Sequence, residues 1–276
     1  MSDKSKKVYF LSDVHLGSPS HLKKAHKTGA EALTLPNTSK NKNDYSPNHE
    51  IERKLVRWFD SVKSDAKTIY LLGDIFDFWF EYKTVVPRGF TRVLGKIGEL
   101  TDSGIEIHFF IGNHDLWVTD YLQKECGMIV HTEPLVKEIY GKKFFLAHGD
   151  GLGDNSKSFK VIRYLFHNKY CRKAFATIHP RWALSFAHKW SNHSRATGDL
   201  VDYLGEDKEH LVLFAKEQLK NSPNINFFIF GHRHILLDLM LSTTSRIVIL
   251  GDWINYFSYA VFDGDNLSLE IFEQED

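Results

Sequence analysis

Five short apolar runs punctuate the chain, and each ends on a polar turn built from Gly, Asp, Asn or His. Val8–Leu11 runs into Ser12-Asp13-Val14-His15, Ile69–Leu72 into Gly73-Asp74, and Ile105–Ile111 into Gly112-Asn113-His114-Asp115. Phe144–Ala147 ends at His148-Gly149-Asp150, and Phe227–Phe230 at Gly231-His232-Arg233-His234. Runs this short and this rich in β-formers suit strands buried on both faces. Helical periodicity fills several of the gaps. Ile51, Leu55, Phe59 and Val62 share one face, and Arg88–Asp102 and Glu206–Lys220 are patterned alike. Alternating strand and helix predict an α/β sheet with crossovers, whose polar tips gather at the carboxyl ends of the strands. After His234, Ile235–Leu241, Arg246–Leu250, Tyr259–Phe262 and Leu267–Phe272 predict an antiparallel meander closing the fold.

Composition narrows the class. The 276 residues suffice for one large domain, or a domain with a sizeable insertion. Lys+Arg and Asp+Glu tie at 35 each, which argues against a protein that grips nucleic acid with its whole surface. Cys126 and Cys171 are too few for a disulfide scaffold or a thiolate zinc site. The polar start lacks a signal-peptide core, and no stretch reaches the roughly 18 uncharged residues of a membrane span. These features predict a soluble, cytoplasmic protein. Pro36–Asn48, polar and with two prolines, reads as a surface loop.

The tips collect Asp13, His15, Asp74, Asn113, His114, His148, His232 and His234. Imidazoles, carboxylates and a carboxamide without thiolate suit Mn, Fe, Zn, Co or Ni better than an all-oxygen Mg or Ca cage. They outnumber the needs of one ion and match two ions sharing a carboxylate, the machinery of phosphoester hydrolysis. Such a pair neutralises phosphoryl oxygens and makes water a nucleophile near neutral pH. A lone DxH or GD would usually cap a turn, and a lone His would usually be structural. Five such motifs in order, each at a predicted strand end, carry the inference.

In this order the motifs resemble the series of the calcineurin-like metallophosphoesterases. That resemblance implies a four-layer α-β-β-α sandwich. It also implies one ion on Asp13, His15, Asp74 and His234, and a second on Asp74, Asn113, His148 and His232. His114 would then be a catalytic imidazole that stabilises phosphoryl charge or protonates the leaving oxygen, with Asp115 orienting its ring. The other ten histidines, His21, His26, His108 and His210 among them, read as surface or packing residues.

Between His148 and the last motif, 155–198 holds no Asp or Glu but carries Lys157, Lys160, Arg163, Lys169, Arg172, Lys173, Arg181, Lys189 and Arg195. Phe159, Ile162, Phe166 and Tyr170 share one helical face, Trp182, Phe186 and Trp190 recur every four residues, and Pro180 suits a helix's first turn. The plain reading is a helical pair packed on the domain. A membrane-surface helix, a single-stranded nucleic-acid site and an apolar groove for an acylated phosphate compete with it. The insertion leaves and re-enters the chain beside metal-binding loops, which favours the groove. Residues 1–154 and 199–276 would then form the core and 155–198 a helical cap.

A helical, basic insertion after His148-Gly149-Asp150 is similar to that of the UDP-2,3-diacylglucosamine diphosphatases of lipid A synthesis. This narrower resemblance implies cleavage of the UDP-2,3-diacylglucosamine pyrophosphate into UMP and 2,3-diacylglucosamine 1-phosphate. It further implies two divalent ions, usually Mn, and work at the cytoplasmic surface of the inner membrane, with no nucleic-acid or protein partner expected. Where many members carry GNRD, this chain reads Gly112-Asn113-His114-Asp115. Substrate contacts are expected at Asn113, His114, His232, Asp154, Asn155, Arg163, Ser194 and Arg195. A phosphodiesterase or phosphatase with another substrate is the alternative enzyme. A non-catalytic binding module is the alternative class, which the intact ligand set opposes.

Overall fold

The computed structural model describes residues 6–18, 48–153, 168–179, 182 and 202–272. Within them the apolar runs form strands, but in two sheets. In the first, β1 (Lys7–Leu11), β2 (Ala66–Leu71), β3 (Glu106–Phe110) and β4 (Ile129–His131) run parallel. The antiparallel pair β10 (Ser258–Phe262) and β11 (Leu267–Ile271) extends it beyond β1. The second sheet has β5 (Leu135–Ile139), β6 (Lys142–Leu146), β7 (Phe227–Phe230), β9 (Arg246–Leu250) and β8 (Leu236–Met240), in that spatial order. β6, β7 and β9 are parallel, with β5 and β8 antiparallel at the edges.

Alternate residues on each strand face opposite layers, and both faces are apolar. Val8, Phe10, Tyr70, Leu72 and Phe110 of the first sheet meet Phe144, Leu146, Phe227 and Val248 of the second. Phe10 stacks on Tyr70 at 5.3 Å and on Phe144 at 5.6 Å. Helices α1 (Asn48–Val62), α2 (Thr91–Asp102) and α3 (Tyr121–Cys126) cover the outer face of the first sheet. Leu55, Trp58 and Phe59 of α1 and Val93, Ile97 and Leu100 of α2 are buried there. Beyond α4 (Lys169–Ala176), helix α5 (His210–Asn221) covers the second sheet with Leu211, Val212 and Ala215. The layers run α-β-β-α.

The four-layer sandwich implied by the resemblance is present; the single crossover sheet read from periodicity alone is not, because β6 and β7 pair with each other instead of extending β3. The final four strands are not one meander: β8 and β9 belong to the second sheet, β10 and β11 to the first. Fully buried Ile247–Leu250 slots between β7 and β8, so the chain must cross over before β10. The sequence reading missed β4 and β5, which are short and half exposed. Of Pro36–Asn48, only Asn48 lies within the described residues, where it opens α1.

His108, expected to pack, is buried with Nδ1 2.8 Å from His131 Nε2 and its ring stacked on Tyr70 at 4.6 Å. Burial, then the charges of His131 and Lys137, push it from 6.5 down to about 4, against a weaker pull from Glu106. The unfolded chain therefore takes a proton that native His108 refuses, so this stabilisation is complete above pH 6.5 and is lost as pH falls toward 4. It amounts to about 3 kcal/mol at most. His108→Phe, which keeps a ring on Tyr70, is expected to flatten the acid-side loss of urea-unfolding free energy by up to that amount; parallel pH profiles would contradict it.

Candidate metal centre

The tips leave their strands through left-handed turns. Asp13 (φ 54°), His15 (48°), Asp74 (53°), His232 (68°) and His234 (51°) all have positive φ, which Asp and His tolerate better than branched residues. Backbone bonds lash tip to tip. Asp13 N–H donates to the Gly73 carbonyl at 3.1 Å, His15 N–H to Asp74 at 2.9 Å, and Trp253 N–H to Asp13 at 3.0 Å. The approach is close enough that a Cβ on Gly112 would strike the Asp74 carboxylate, and one on Gly231 that of Asp13.

Seven expected ligands converge around Asp74. His15 Nε2 lies 3.3 Å from His234 Nε2 and 3.8 Å from both Asp13 Oδ1 and Asp74 Oδ2. His234 Nε2 is 3.4 Å from Asp13 Oδ1. On the other side, Asp74 Oδ2 is 3.4 Å from His148 Nε2. Asn113 Oδ1 is 3.2 Å from His148 Nε2 and 3.0 Å from His232 Nδ1. Asp13–His15–His234, Asp13–Asp74–His148 and His15–Asp74–His114 each bring their ligand atoms within 4.8 Å of one another.

The far ring nitrogens determine what faces inward. His148 Nδ1 sits 2.8 Å from the Leu72 carbonyl, so it must donate. His234 Nδ1 lies 3.1 Å from Asp252 Oδ2, and His15 Nδ1 lies 3.7 Å from Asp77 Oδ1. With hydrogen on those nitrogens, Nε2 of a neutral His15, His148 or His234 ring presents a lone pair. Three lone-pair acceptors of His15, His234 and Asp13 then face one another with no donor between them. Asp13 Oδ1, fully buried, makes no hydrogen bond among the described residues. Buried acceptors without donors are costly unless a cation sits among them, and this donor set suits a borderline divalent ion. The residues fit a metal pair.

Without an ion the carboxylates draw protons onto two of the rings: against burial, Asp74 and Asp13 raise His148 well above the ordinary imidazole value, and Asp13 and Asp252 raise His234. Burial opposes ionisation of Asp74, yet the imidazoles of His148 and His114 outweigh it and hold the carboxyl well below its usual range. Burial drives His232 well below the ordinary imidazole value, helped by His148. Asp13 is raised by burial even against His234 and His148.

Two neighbours of the ligands change the sequence reading. Asp115 does not orient His114. Its buried carboxylate accepts from the backbone N–H of Gly112 at 2.7 Å and of Ile75 at 2.9 Å, bracing two tips, and burial and Asp74 push it up to about 7. The His114 ring is held instead by Asp77, whose carbonyl lies 3.0 Å from Nδ1, and it packs edge-on against His15 at 4.7 Å. Asp252 was missed, although Gly251-Asp252 ends β9 in the same strand-then-Gly-Asp manner as the other tips. Its Oδ1 accepts from the N–H groups of Ile254 and Asn255, and Asn255 Nδ2 donates to its Oδ2. So gripped, it fixes the His234 ring. Arg233, between two ligands, is anchored by a two-pronged bond to buried Glu209 at 2.8 and 3.1 Å.

Asp154, Asn155, Arg163, Ser194 and Arg195 lie outside the described residues, as does most of 155–198. The described helix α4 packs Phe175 against Trp117 at 4.7 Å, Phe80 at 5.0 Å and Phe78 at 6.3 Å. The Tyr82 hydroxyl donates to the Ile178 carbonyl at 3.3 Å. Arg172, Lys173, Tyr170 and Trp182 are exposed.

Residues 6–236 match the model of the calcineurin-like phosphoesterase family. The chain is 44% identical over 280 residues to a Porphyromonas gingivalis protein named UDP-2,3-diacylglucosamine hydrolase, covering 97% of this chain and 98% of that one. It is 30% identical over 224 residues to the protein of that name from Neisseria meningitidis serogroup B, covering 78% and 89%.

Asp252→Asn keeps the size of the side chain but places an amide opposite the His234 ring. It is expected to weaken divalent-metal binding about 10- to 100-fold, as loss of a ligand-orienting carboxylate does elsewhere. Calorimetric titration of the metal-free protein with Mn checks this.

Proposed function

The chain belongs to the calcineurin-like phosphoesterase family, and from that premise we propose that it hydrolyses the pyrophosphate bond of UDP-2,3-diacylglucosamine. The products are UMP and 2,3-diacylglucosamine 1-phosphate, a step of lipid A biosynthesis. The observation that carries the chemistry is the convergence of buried imidazoles and carboxylates on both sides of Asp74, with Asp13 Oδ1 unbonded among the described residues. Near-full-length similarity to the Porphyromonas gingivalis hydrolase carries the substrate.

In this reading Asp13, His15, Asp74 and His234 hold one divalent ion and Asp74, Asn113, His148 and His232 the other, with Mn the preferred metal. When bound, the pair neutralises phosphoryl oxygens and acidifies water. The protein's own part is positional. Before an ion binds, His148 and His114 keep the shared Asp74 ionised against its burial. The Asp77 carbonyl pins His114 Nδ1, which leaves Nε2 to meet the phosphoryl group. When that ring carries two protons, Nε2 stabilises developing charge and can hand a proton to the leaving oxygen. Asp115 acts through the backbone it braces.

The 155–198 segment serves as a cap, and Phe175 on Trp117 places α4 against the loop that carries Asn113 and His114. Its aromatic and basic side chains suit the acyl chains and the diphosphate, with Asp154, Asn155, Arg163, Ser194 and Arg195 as substrate contacts. Among the described residues no helix is long and apolar enough to cross a membrane. A two-chain lipid resists leaving the bilayer by about 0.8 kcal/mol per CH₂, so the enzyme works peripherally at the cytoplasmic face of the inner membrane. Exposed Arg172, Lys173, Tyr170 and Trp182 suit an anionic surface.

Purified protein with Mn is expected to release UMP from UDP-2,3-diacylglucosamine; turnover of only a generic diester would remove the lipid reading. Lys160→Glu with Arg163→Glu is expected to raise KM for the lipid substrate at least about tenfold more than KM for a small chromogenic ester, a loss of about 1.4 kcal/mol. Steady-state kinetics on both substrates check it, and equal losses would refute the role of the cap.

A further inference from the structure

The turn that carries His232 and His234 needs outside support. Both residues sit at positive φ, 68° and 51°, a backbone that relaxes unless its surroundings hold it. Gly231 N–H donates to the His148 carbonyl at 2.9 Å and His232 N–H to Asp13 Oδ2 at 2.9 Å, while His234 Nδ1 lies 3.1 Å from Asp252 Oδ2. Each of these bonds ties one strand tip to another. None of them refers the turn to the scaffold outside the cluster.

Arg233, between the two histidines, does. Its Nε and Nη2 donate to the two carboxylate oxygens of Glu209 at 2.8 and 3.1 Å. Glu209 is fully buried and stands just before α5, which Leu211, Val212 and Ala215 seat on the second sheet. From the other side Gly153 approaches so closely that a Cβ on it would lie 2.6 Å from the His210 carbonyl oxygen. Held on both sides, Glu209 is a fixed point.

The pair is a poor device for stability alone. A buried ion pair loses in desolvation about what it gains in attraction, and apolar side chains of similar size serve as well or better. Glu209 also stands at a helix N-terminus, whose N–H groups attract a carboxylate, yet its side chain makes no capping bond there and turns to Arg233. What a fork of two parallel bonds adds over apolar packing is direction, because it fixes the plane of the guanidinium.

We infer that Arg233 is a positioning residue for both metal ions. Clamped by Glu209, it holds the 231–234 turn so that the His232 ring meets Asn113 and the His234 ring meets Asp13. This rests on the ligand assignment of the proposed function and not on its substrate.

The test replaces the pair with Glu209→Met and Arg233→Met together. The pair has no net charge, so its removal changes the field at the ions little, and an apolar replacement spares stability. Calorimetric titration of the metal-free double variant with Mn is expected to show affinity at least about tenfold weaker than wild type, as loss of ligand-orienting partners does elsewhere. Its thermal unfolding midpoint should stay within about 4 °C of wild type. Arg233→Lys keeps the charge and loses the fork, so its Mn affinity should also fall, by at least about threefold; it decides the matter if the double variant does not fold. A folded variant of either kind that binds Mn within about twofold of wild type would overturn the inference and leave the pair a packing element. A wild type that binds no Mn overturns the ligand assignment, and the inference with it.

Discussion

Acceptor facing acceptor is the constraint on which the rest of the structure depends. With neutral rings, His15, His234 and Asp13 point lone pairs at one another from three loops, and His148, Asn113 and Asp74 do the same beside them. Without a cation this arrangement repels or must take up protons, as the raised His148 and His234 show, and the backbone adds its own cost. Five of the seven converging residues sit at positive φ, at about 1 kcal/mol or more each, a sum comparable with the whole net stability of an ordinary domain. The scaffold must therefore hold the tips together before any ion arrives. Cross-tip backbone bonds do so, along with Asp115 and Asp252, carboxylates spent on N–H groups of the loops themselves.

This explains why the site lies on the seam between two sheets. Asp13 and Asp74 follow strands of the first sheet, His148 and His232 follow strands of the second. Asp13 Oδ2 crosses the seam to accept the N–H of His232 at 2.9 Å. A small residue permits the crossing, since Gly231 lets Asp13 in, and within the first sheet Gly112 does the same for Asp74. Beneath, the pile of Phe10, Tyr70, Phe144 and Phe227 sets the sheet spacing. A change in that pile would tilt one half of the ligand set against the other, so packing residues far from the chemistry govern its geometry.

The sequence displayed the ligands because strand ends that alternate apolar runs with Gly, Asp and His are local patterns. What it hid was pairing. Nothing in Phe144–Ala147 says that its neighbour is β7 and not β3, because a strand buried on both faces reads the same in either sheet. β4 and β5 lacked the apolar runs that mark such strands. Asp115 drew attention by adjacency to His114, yet its side chain turns to the backbone of the neighbouring tip, and the Asp77 carbonyl does the orienting from a separate loop. Asp252 followed the strand-end rule and was lost inside a supposed meander. The core strands and the side chains that converge on Asp74 were legible; the residues that orient them were not, because orientation is a tertiary property.

The chemistry of the tips is indifferent to what hangs from the phosphorus, so selectivity has to come from the walls. The 112–118 loop links the two in the proposed function. There it brings Asn113 and His114 to the metals, while its Trp117 packs on Phe175 of α4. Acyl chains held by the 155–198 segment would give a lipid-linked pyrophosphate contacts that a small phosphate ester lacks. Such remote binding would align the scissile bond with His114, which raises turnover of the lipid substrate and not merely its affinity. A loop with Asn113 and His114 at its start and Trp117 against α4 at its end then couples recognition to chemistry through a few residues of backbone.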